Sequence, residues 1–592
     1  MLKLSDIRLT EELDADGLRR LAAGALGIGK DSVKELKILK LSVDARRKPD
    51  VRFVYSLAVS VDDEHSVLNK FPVERTSGHA GAKTTPLPNV SPYVPPERYK
   101  FPFNGAAIPE KRPVVVGTGP AGLFAALCLA EAGIKCIVLE RGQPIERRVE
   151  DVERFRRGDG FSSSSNIQFG EGGAGTFSDG KLTTGISDRR TRFVLERLVG
   201  FGAPEEILYH AKPHIGTDKL RLVVMALRER LLGLGCDIRF GHAMTDIVLS
   251  GNSLKGLTIK VGGATYVIST DRLILAPGNS ARDTFEMLLR QGVRLSPKSF
   301  SVGVRIEHLQ RDIDNAQYGN ASASRGDASR GNGSRGDASR GDRSQRGGPR
   351  GYVPRNGGPY GDRLRSDGTY KSGLPASDYK LAVHQKNGRS VYTFCVCPGG
   401  QVVSSSSEPG GLVTNGMSYY ARDGENCNGA LVVSVTPEDF GCSPLDGVAF
   451  QRRLERAAFT AGGGNYRAPA QLVGDFMKKR ASIGHGKITP TYLPGVKYCN
   501  LWDVLPNFVC EALSGALAEF SGRIAGFADP GAVLTAVETC SSSPVRIERE
   551  NYETVGIRGI FPCGEGSGYA GGIMSSAVDG IKCAERVINP RP

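Results

Sequence analysis

The sequence predicts an α/β protein in which a parallel sheet is interrupted by a mixed α+β segment. Two observations support this prediction. Residues 114–140 read as a buried strand (VVVG), an apolar helix and a second strand (KCIVLE), and residues 559–587 read as a further strand, a glycine-rich turn and a helix. Short apolar strands that alternate with helices are typical of parallel sheets, because both faces of such a sheet are covered.

Residues 1–95 are predicted to form a separate, small α+β domain. LKLSDIRL reads as a strand, DADGLRRLAAGALGI as a helix, and VKELKILKLSVDA and VRFVYSLAVSV as two more strands. This βαββ order is typical of a ferredoxin-like sandwich. Eight prolines from Pro86 to Pro113 leave no room for a helix, so residues 96–112 are predicted to be a linker.

The composition excludes several classes of protein. Of the 592 residues, 40% are hydrophobic and 24% charged, which is ordinary for a globular chain, and no run of about 18 apolar residues predicts a membrane span. The N-terminus shows neither a signal nor a transit peptide, so we expect a cytoplasmic protein, or a plastid protein if a transit peptide is absent from this chain. The 12 cysteines contain no CxxC pair, the closest spacing being Cys395-x-Cys397. We therefore expect reduced thiols, no metal site and no disulfide-reductase chemistry.

A glycine fingerprint follows the first of these parallel strands. It runs Gly117-Thr-Gly119-Pro120-Ala121-Gly122 and opens a helix. The first glycine permits a tight turn, the second lets the backbone approach a pyrophosphate, and the third allows close packing of helix on strand. Glu140 ends the second strand, where an acid accepts hydrogen bonds from a ribose, and Arg141 follows it. The pattern predicts a Rossmann-like dinucleotide-binding domain.

Two further glycine-rich segments favour a flavin as the dinucleotide. The turn before the C-terminal helix ends at Gly571-Gly572-Ile573, and a helix that starts there could stabilise negative charge on a reduced flavin ring. The loop at 162–182 holds Gly172, Gly173, Gly175 and Thr176, with Ser178, Asp179 and Lys181 as polar groups in reach. Such a loop is costly to order unless backbone amides must approach a ligand.

The domain boundaries follow from these motifs. We predict the first part of the dinucleotide-binding domain at 113–284, a mixed α+β substrate domain at 285–535, and the closing part of the first domain at 536–592. Residues 321–367 repeat SRGDASRG and hold ten arginines and five aspartates, which predicts a disordered insertion. Because this insertion carries +5 of the net charge of +14, a basic nucleic-acid-binding domain is not predicted.

The long motifs resemble a known family. GTGPAGLFAALCLAEAG, NIQFGEGGAGTFSDGKL, LAPGNSARDTFEML and PCGEGSGYAGGIMSSAVDG are similar to those of the uncharacterised FAD-dependent dehydrogenases. These belong to the glutathione-reductase-like two-dinucleotide flavoproteins of bacteria and plastid-bearing eukaryotes. The resemblance implies FAD and an FAD-binding domain interrupted by a substrate domain. The insertion at 321–367 departs from the family pattern, because relatives usually lack this segment. The cofactor-binding residues predicted from motifs and resemblance together are Gly117, Gly119, Pro120, Ala121, Gly122, Glu140, Arg141, Gly172, Gly173, Gly175, Thr176, Gly278, Gly564, Glu565, Gly571, Gly572 and Ile573.

Several weaker motifs in the sequence have simple structural explanations. Three Arg-Gly-Asp triplets in the insertion follow from its composition, and only two tyrosines accompany its arginines, so neither adhesion nor RNA binding is favoured. His485 is a candidate proton donor, although a histidine in a loop more often makes a structural hydrogen bond. Arg546 is a candidate anion-binding residue, although its position in a crossover strand explains it as well. Pro213 separates His210 from His214, so they do not predict a metal pair.

The resulting functional hypothesis is an FAD-dependent oxidoreductase that acts on a small molecule by hydride or electron transfer. No second glycine fingerprint follows a strand, so NAD(P)H is expected at most as a transient reductant. The alternative is a flavoprotein with a non-redox or RNA-modifying role. The sequence identifies neither the catalytic residues nor the oligomeric state.

Overall fold

The computed structural model describes residues 1–71, 89–102, 109–319 and 374–589. The chain divides into two compact units, one of residues 1–92 and 314–377 and the other of residues 93–313 and 378–592. The insertion predicted at 321–367 lies outside the described residues. Within the described ranges, no helix has both the length and the apolarity needed to cross a membrane.

The helices and strands are numbered in chain order. The α-helices are α1 Ala15–Leu26, α2 Glu64–Asn69, α3 Pro120–Glu131, α4 Ile145–Arg156, α5 Arg190–Gly200, α6 Thr217–Gly233, α7 Arg282–Arg290, α8 Gln310–Tyr318, α9 Pro437–Phe440, α10 Asp446–Ala461, α11 Val473–Phe476, α12 Asn507–Ser521 and α13 Ile573–Ile588. The strands are β1 Leu2–Leu9, β2 Val33–Asp44, β3 Arg52–Val61, β4 Asn89–Pro92, β5 Val114–Val116, β6 Ile137–Glu140, β7 Asp237–Phe240, β8 Ala243–Ser250, β9 Ser253–Val261, β10 Ala264–Ser269, β11 Leu273–Leu275, β12 Leu295–Pro297, β13 Phe300–Leu309, β14 Ala382–His384, β15 Ser390–Cys397, β16 Gln401–Ser404, β17 Thr414–Met417, β18 Asn426–Val435, β19 Ala468–Leu472, β20 Val496–Tyr498, β21 Val533–Glu538, β22 Val545–Ile547, β23 Arg549–Glu550, β24 Glu553–Thr554 and β25 Ile560–Pro562.

The first unit contains a four-stranded antiparallel sheet in the order β2-β3-β1-β4. Helix α1 begins after Asp14, whose carboxylate accepts a hydrogen bond from the Gly17 amide at 2.7 Å, and ends at Gly27 with a left-handed φ of 64°. These are common ways of satisfying the ends of a helix. The strand order is that of a ferredoxin-like sandwich, and α2 and β4 complete it beyond the four elements read from the sequence.

The two ends of the segment outside the described residues are joined by hydrogen bonds. The Tyr318 hydroxyl donates to the Pro375 carbonyl at 3.0 Å, and the Ser377 amide and hydroxyl donate to Asp314 Oδ1 at 2.8 and 2.7 Å. The residues that flank the segment outside the described residues therefore lie close together.

Deletion of residues 321–367 is expected to leave the melting temperature and the flavin content unchanged. Tyr318 and Pro375, which lie on either side of the segment, are already hydrogen-bonded to each other, and each doubling of loop length costs only about 0.6 kcal/mol in closure entropy. Thermal unfolding and the flavin-to-protein absorbance ratio would measure both quantities. Aggregation or loss of flavin in the deletion variant would contradict this expectation and show that the segment packs on folded parts of the chain.

The second unit contains a five-stranded parallel sheet in the order β25-β11-β5-β6-β7. Its strands are short and apolar, and helix α3 is buried at every position from Ala121 to Ala130. Helix α13 packs on α3 at Gly580, where a Cβ would lie 2.0 Å from the Ala121 carbonyl oxygen. This close approach joins the C-terminal segment to the glycine fingerprint, although they are about 450 residues apart in sequence.

A seven-stranded sheet in the order β14-β15-β18-β13-β21-β19-β20 forms the other large layer of the second unit. Strand β13 lies at its centre and is buried at all ten positions, including Arg305. Residues 391–403, which alternate in the sequence, divide into β15 and β16 at a Pro-Gly-Gly turn. The antiparallel sheet β8–β10 was not predicted.

Candidate functional site

One cavity of about 350 Å³, called here the central cavity, brings the glycine-rich segments together. Its walls come from the fingerprint turn, the loop at 168–181, the turn at 276–280, the C-terminal turn at 563–573 and the seven-stranded sheet. Fourteen of the predicted cofactor-binding residues line it: Gly117, Gly119, Pro120, Ala121, Glu140, Arg141, Gly173, Gly175, Gly278, Gly564, Glu565, Gly571, Gly572 and Ile573. Gly122, Gly172 and Thr176 do not line it.

The three fingerprint glycines differ in what surrounds them. Gly117 has a φ of 97°, and a Cβ there would lie 2.1 Å from the Ala276 carbonyl oxygen. A Cβ on Gly122 would lie 1.9 Å from the Gly117 carbonyl oxygen, so both positions require glycine for the fold itself. Gly119, the residue before α3, has no heavy atom within 4 Å of its Cβ position. At Gly119 the missing side chain therefore leaves space inside the cavity.

Glu140 connects the fingerprint to the neighbouring loops. Its Oε2 accepts hydrogen bonds from the Thr118 amide and hydroxyl at 3.0 and 2.6 Å, and its Oε1 accepts from the amides of Gly142 and Gly170 at 2.8 and 3.1 Å. A carboxylate has about four acceptor positions, and the chain itself supplies four donors here. A ribose hydroxyl at this carboxylate would have to share its oxygens with these groups.

Arg148 on α4 holds the glycine-rich loop from beneath. The side chain is fully buried, and its guanidinium donates to the carbonyls of Asn166, Ile167 and Glu171 at 2.9, 2.9 and 2.5 Å. A Cβ on Gly170 would lie 2.4 Å from Arg148 Cδ. The sequence reading did not identify this arginine, because its partners are backbone carbonyls of a loop with no regular pattern.

An ion pair anchors the end of the same loop. Arg422 donates from Nε to Asp179 Oδ1 at 2.9 Å, and Lys181 Nζ lies 3.9 Å from Asp179 Oδ2. Burial raises the pKa of Asp179, but Arg422 and Lys181 outweigh it and hold that pKa well below its usual range. Of the polar residues expected in reach, Ser178, Asp179 and Lys181 all line the cavity, and Asp179 is committed to Arg422.

The C-terminal turn is held by an ion pair on α13. Asp579 accepts from the Gly564 amide at 2.9 Å and from Arg549 Nη2 at 2.7 Å. Helix α13 starts at Ile573, the position expected from the sequence, and neither Gly571 nor Gly572 has a heavy atom within 4 Å of its Cβ position. The start of the helix therefore borders open space in the cavity wall.

Glu565 is the acid of this turn that faces the cavity. Asn279 donates from Nδ2 to Glu565 Oε1 at 2.9 Å. Burial raises the pKa of Glu565 to about 7, against the lowering effects of Lys298 and Asn279. A carboxyl group that titrates near neutrality inside a cavity can give or take a proton at physiological pH.

Glu565→Gln should make the protein's stability less dependent on pH between 4.5 and 7. The raised pKa means that the folded wild type binds this proton more tightly than the unfolded chain, so its stability falls as pH rises through that window. The loss is at most about 3 kcal/mol at about 1.36 kcal/mol per pKa unit. Melting temperatures from pH 4.5 to 8 in excess FAD would measure it, and parallel curves for the two proteins would refute the expectation.

The wall formed by the seven-stranded sheet is organised around Arg305. Its guanidinium donates from Nε and Nη2 to the two oxygens of Glu538 at 2.7 and 3.0 Å, from Nη1 to the Cys395 carbonyl at 2.9 Å and from Nη2 to Asn415 Oδ1 at 2.6 Å. Cys395, Asn415 and Glu538 all line the central cavity. The sequence reading missed these three residues and Arg305, which come from four strands widely separated in the chain.

Other residues singled out in the sequence lie elsewhere. His485 is exposed and lines a separate open groove with Arg467 and Lys497, so it is not a proton donor in the central cavity. Arg546 is exposed and stacks on the Tyr569 ring at 5.2 Å. The ring of His214 contacts the Tyr420 carbonyl, and no group of three His, Cys, Asp or Glu side chains suited to a metal occurs in the described ranges.

Comparison with known families gives matches to three parts of the chain. Residues 362–541 match the family described as "FAD-dependent protein, C-terminal domain-like", and residues 112–148 match "FAD binding domain". Residues 1–60 match "Domain of unknown function (DUF8436)". The two FAD-related matches contain the fingerprint turn and most of the seven-stranded sheet.

Comparison with individual proteins gives one relative over nearly the full length. An uncharacterised protein of Clostridium beijerinckii is 41% identical over 590 residues, which cover 99% of this chain and 98% of the relative. Among solved structures, E. coli quinol fumarate reductase FrdA is 12% identical with a TM-score of 0.33, covering 81% of this chain and 70% of that one. BexE, whose structure was studied for insights into oxidation during BE-7585A biosynthesis, is 19% identical with a TM-score of 0.21. The match covers 33% of this chain and 37% of BexE, so the chain spans little more than a third of that protein.

Proposed function

This chain belongs to the family of uncharacterised FAD-dependent dehydrogenases, and from that premise we propose that it is an oxidoreductase that oxidises or reduces a small molecule in the central cavity. The observation that carries the proposal is the convergence of four glycine-rich segments on one cavity. The seven-stranded sheet, which supplies the opposite wall, is the proposed substrate side. The predicted domain boundaries and site residues are part of this proposal.

The residues of the cavity fit FAD. Gly119, Gly278, Gly571 and Gly572 all leave open space where a side chain would stand, so the backbone itself forms the cradle. Helices α3 and α13 begin at this cradle, and the first turn of a helix has unpaired N–H groups that attract phosphate and other anions. A long anionic dinucleotide is therefore the ligand that this cavity suits.

The chain's own residues would hold and tune the cofactor. Bound FAD supplies two-electron chemistry by accepting or donating hydride or electrons. Residues at the start of α3 would bind the pyrophosphate. The start of α13 would favour negative charge on the reduced flavin ring. Glu140 would hold the fingerprint turn and the glycine-rich loop together through its hydrogen bonds to Thr118 and Gly170. Glu565 is the candidate acid or base, since it can hold a proton at its carboxylate near pH 7.

Cofactor identity and redox cycling test the proposal. We expect the purified protein to be yellow and to release FAD, not FMN, when denatured. Anaerobic addition of NADPH or of candidate substrates should bleach the flavin absorbance, and an added electron acceptor should restore it. Release of FMN would contradict the dinucleotide cradle. Bound FAD that no donor reduces would instead favour the alternative in which the flavoprotein has a non-redox role.

Gly572→Val is expected to lower the reduction potential of bound FAD. The φ of Gly572 is 175° and its Cβ position is open, so valine fits without displacing the backbone and its side chain enters the cavity. Weaker interaction with the helix end is worth roughly 0.3–1 kcal/mol, and up to ~2 when buried, or about 6 to 40 mV for two electrons. Equilibration with a reference dye measures the potential. An unchanged potential in a variant that still binds FAD would mean that the start of α13 does not lie next to the flavin ring.

A further inference from the structure

We propose that Cys395 and Cys397 form a dithiol–disulfide pair that exchanges electrons with the flavin in the central cavity. This inference rests on the proposed function, because it requires FAD in that cavity. Cys395 lines the cavity and is half-buried, whereas Cys397 does not line it and is fully buried. The pair therefore has one cysteine at the cavity and a second one inside the protein.

The backbone between the two cysteines departs from a regular strand. In β15 the pairing with β18 shifts register between Phe394 and Cys397, and Cys395 has a left-handed φ of 44°. A regular strand would hold alternate residues about 6.6 Å apart, near the upper limit for a disulfide. The register shift falls between the two cysteines, and Cys397 Sγ lies 3.3 Å from the Cys395 carbonyl oxygen, so the sulfur of one cysteine contacts the other residue.

The surroundings of Cys395 favour a reactive thiolate. The Cys397 thiol contributes most, followed by Arg305 and Lys181, and together they lower the pKa of Cys395 to about 5 against the effect of burial. The pKa of Cys397 is raised by the same contact. Across the cavity, the charge of Cys395 contributes to the raised pKa of Glu565. Reactive cysteines typically occupy such electropositive, partly open surroundings.

The exchange balances in atoms and electrons. Forming the Cys395–Cys397 bond from the Cys395 thiolate and the Cys397 thiol breaks one S–H bond and releases two electrons and one proton, which the oxidised flavin takes up to give its anionic reduced form. In reverse, the anionic reduced flavin supplies two electrons and one proton, the S–S bond breaks, and the Cys395 thiolate and the Cys397 thiol re-form. The absence of a CxxC spacing predicted no disulfide-reductase chemistry. In this proposal the CxC pair at the register shift of β15 takes the place of a CxxC pair.

Anaerobic reductive titration of the full-length, FAD-loaded protein tests the pair. After mild oxidation with diamide and removal of the reagent, wild type should take up about four electrons per FAD, two for the flavin and two for the disulfide. Cys395→Ser and Cys397→Ser should each take up about two. Cys442→Ser, which changes an exposed cysteine outside the cavity, should behave as wild type.

A second measurement needs no variant. The oxidised wild type is alkylated, digested and examined by mass spectrometry, where a peptide that carries an unalkylated Cys395–Cys397 bond is expected and should disappear after flavin reduction. Uptake of two electrons by oxidised wild type, alkylation of both cysteines, or a bond from Cys395 to Cys540 would overturn the inference while leaving the FAD proposal intact. A protein that binds no FAD would instead refute the proposed function.

Discussion

Gly119→Val should give a folded protein that retains almost no FAD. No heavy atom lies within 4 Å of the Cβ position of Gly119, and its φ of −69° and ψ of 177° suit valine. The new side chain would occupy the cavity space next to the start of α3, where we place the pyrophosphate. Valine is a poorer helix cap than glycine, but the cost of about 1 kcal/mol is too small to unfold the domain.

Flavin content and stability together decide this prediction. We expect FAD affinity to fall at least tenfold, which corresponds to at least ~1.4 kcal/mol. Gly185→Val is the matched control, because Gly185 is exposed, has the same open surroundings and does not line the cavity. Isothermal titration of both apoproteins with FAD compares them. If Gly119→Val binds FAD as tightly as wild type, the pyrophosphate does not bind next to the start of α3.

Arg305→Met is expected to lower the free energy of unfolding by about 3–5 kcal/mol, as typically follows when one partner of a buried ion pair is removed. The guanidinium is fully buried, and its loss leaves the Glu538 carboxylate without its ion-pair partner and the Cys395 carbonyl without its guanidinium donor. Urea unfolding of the full chain measures the change through the midpoint of the transition.

Two further variants show whether the loss of stability comes from the broken Arg305–Glu538 ion pair or from the removal of any arginine charge. Arg154→Met removes an arginine from an exposed pair with Asp151, and we expect a change of at most ~1 kcal/mol. The double variant Arg305→Met, Glu538→Met removes both buried charges and should recover a large part of the loss, because apolar pairs of similar volume often replace buried ion pairs well. A double variant less stable than Arg305→Met alone would count against this account.

The family matches confirm the prediction of an FAD-dependent flavoprotein, and the reason is local. The turn at 117–122 and the start of α13 depend on glycines that stand next to each other in sequence, and their conformational requirements can be read from spacing alone. Elements with apolar or alternating patterns, such as α3 and β3, also lie where the sequence places them. The assignment of individual residues to FAD remains a prediction.

What the sequence by itself determined is therefore the parallel-sheet framework, the dinucleotide fingerprint and the FAD family. The tertiary structure alone decided the proposed substrate-side wall, because Arg305, Cys395 and Glu538 come from three strands of the seven-stranded sheet, Asn415 comes from the two-stranded sheet β16–β17, and no local pattern encodes this arrangement. It also decided the contact of Glu140 with the Gly170 amide and the contacts of Arg148 with three carbonyls, all of which are backbone groups of the glycine-rich loop. Backbone amides and carbonyls are common to all residues, so contacts with them leave no trace in the amino-acid sequence.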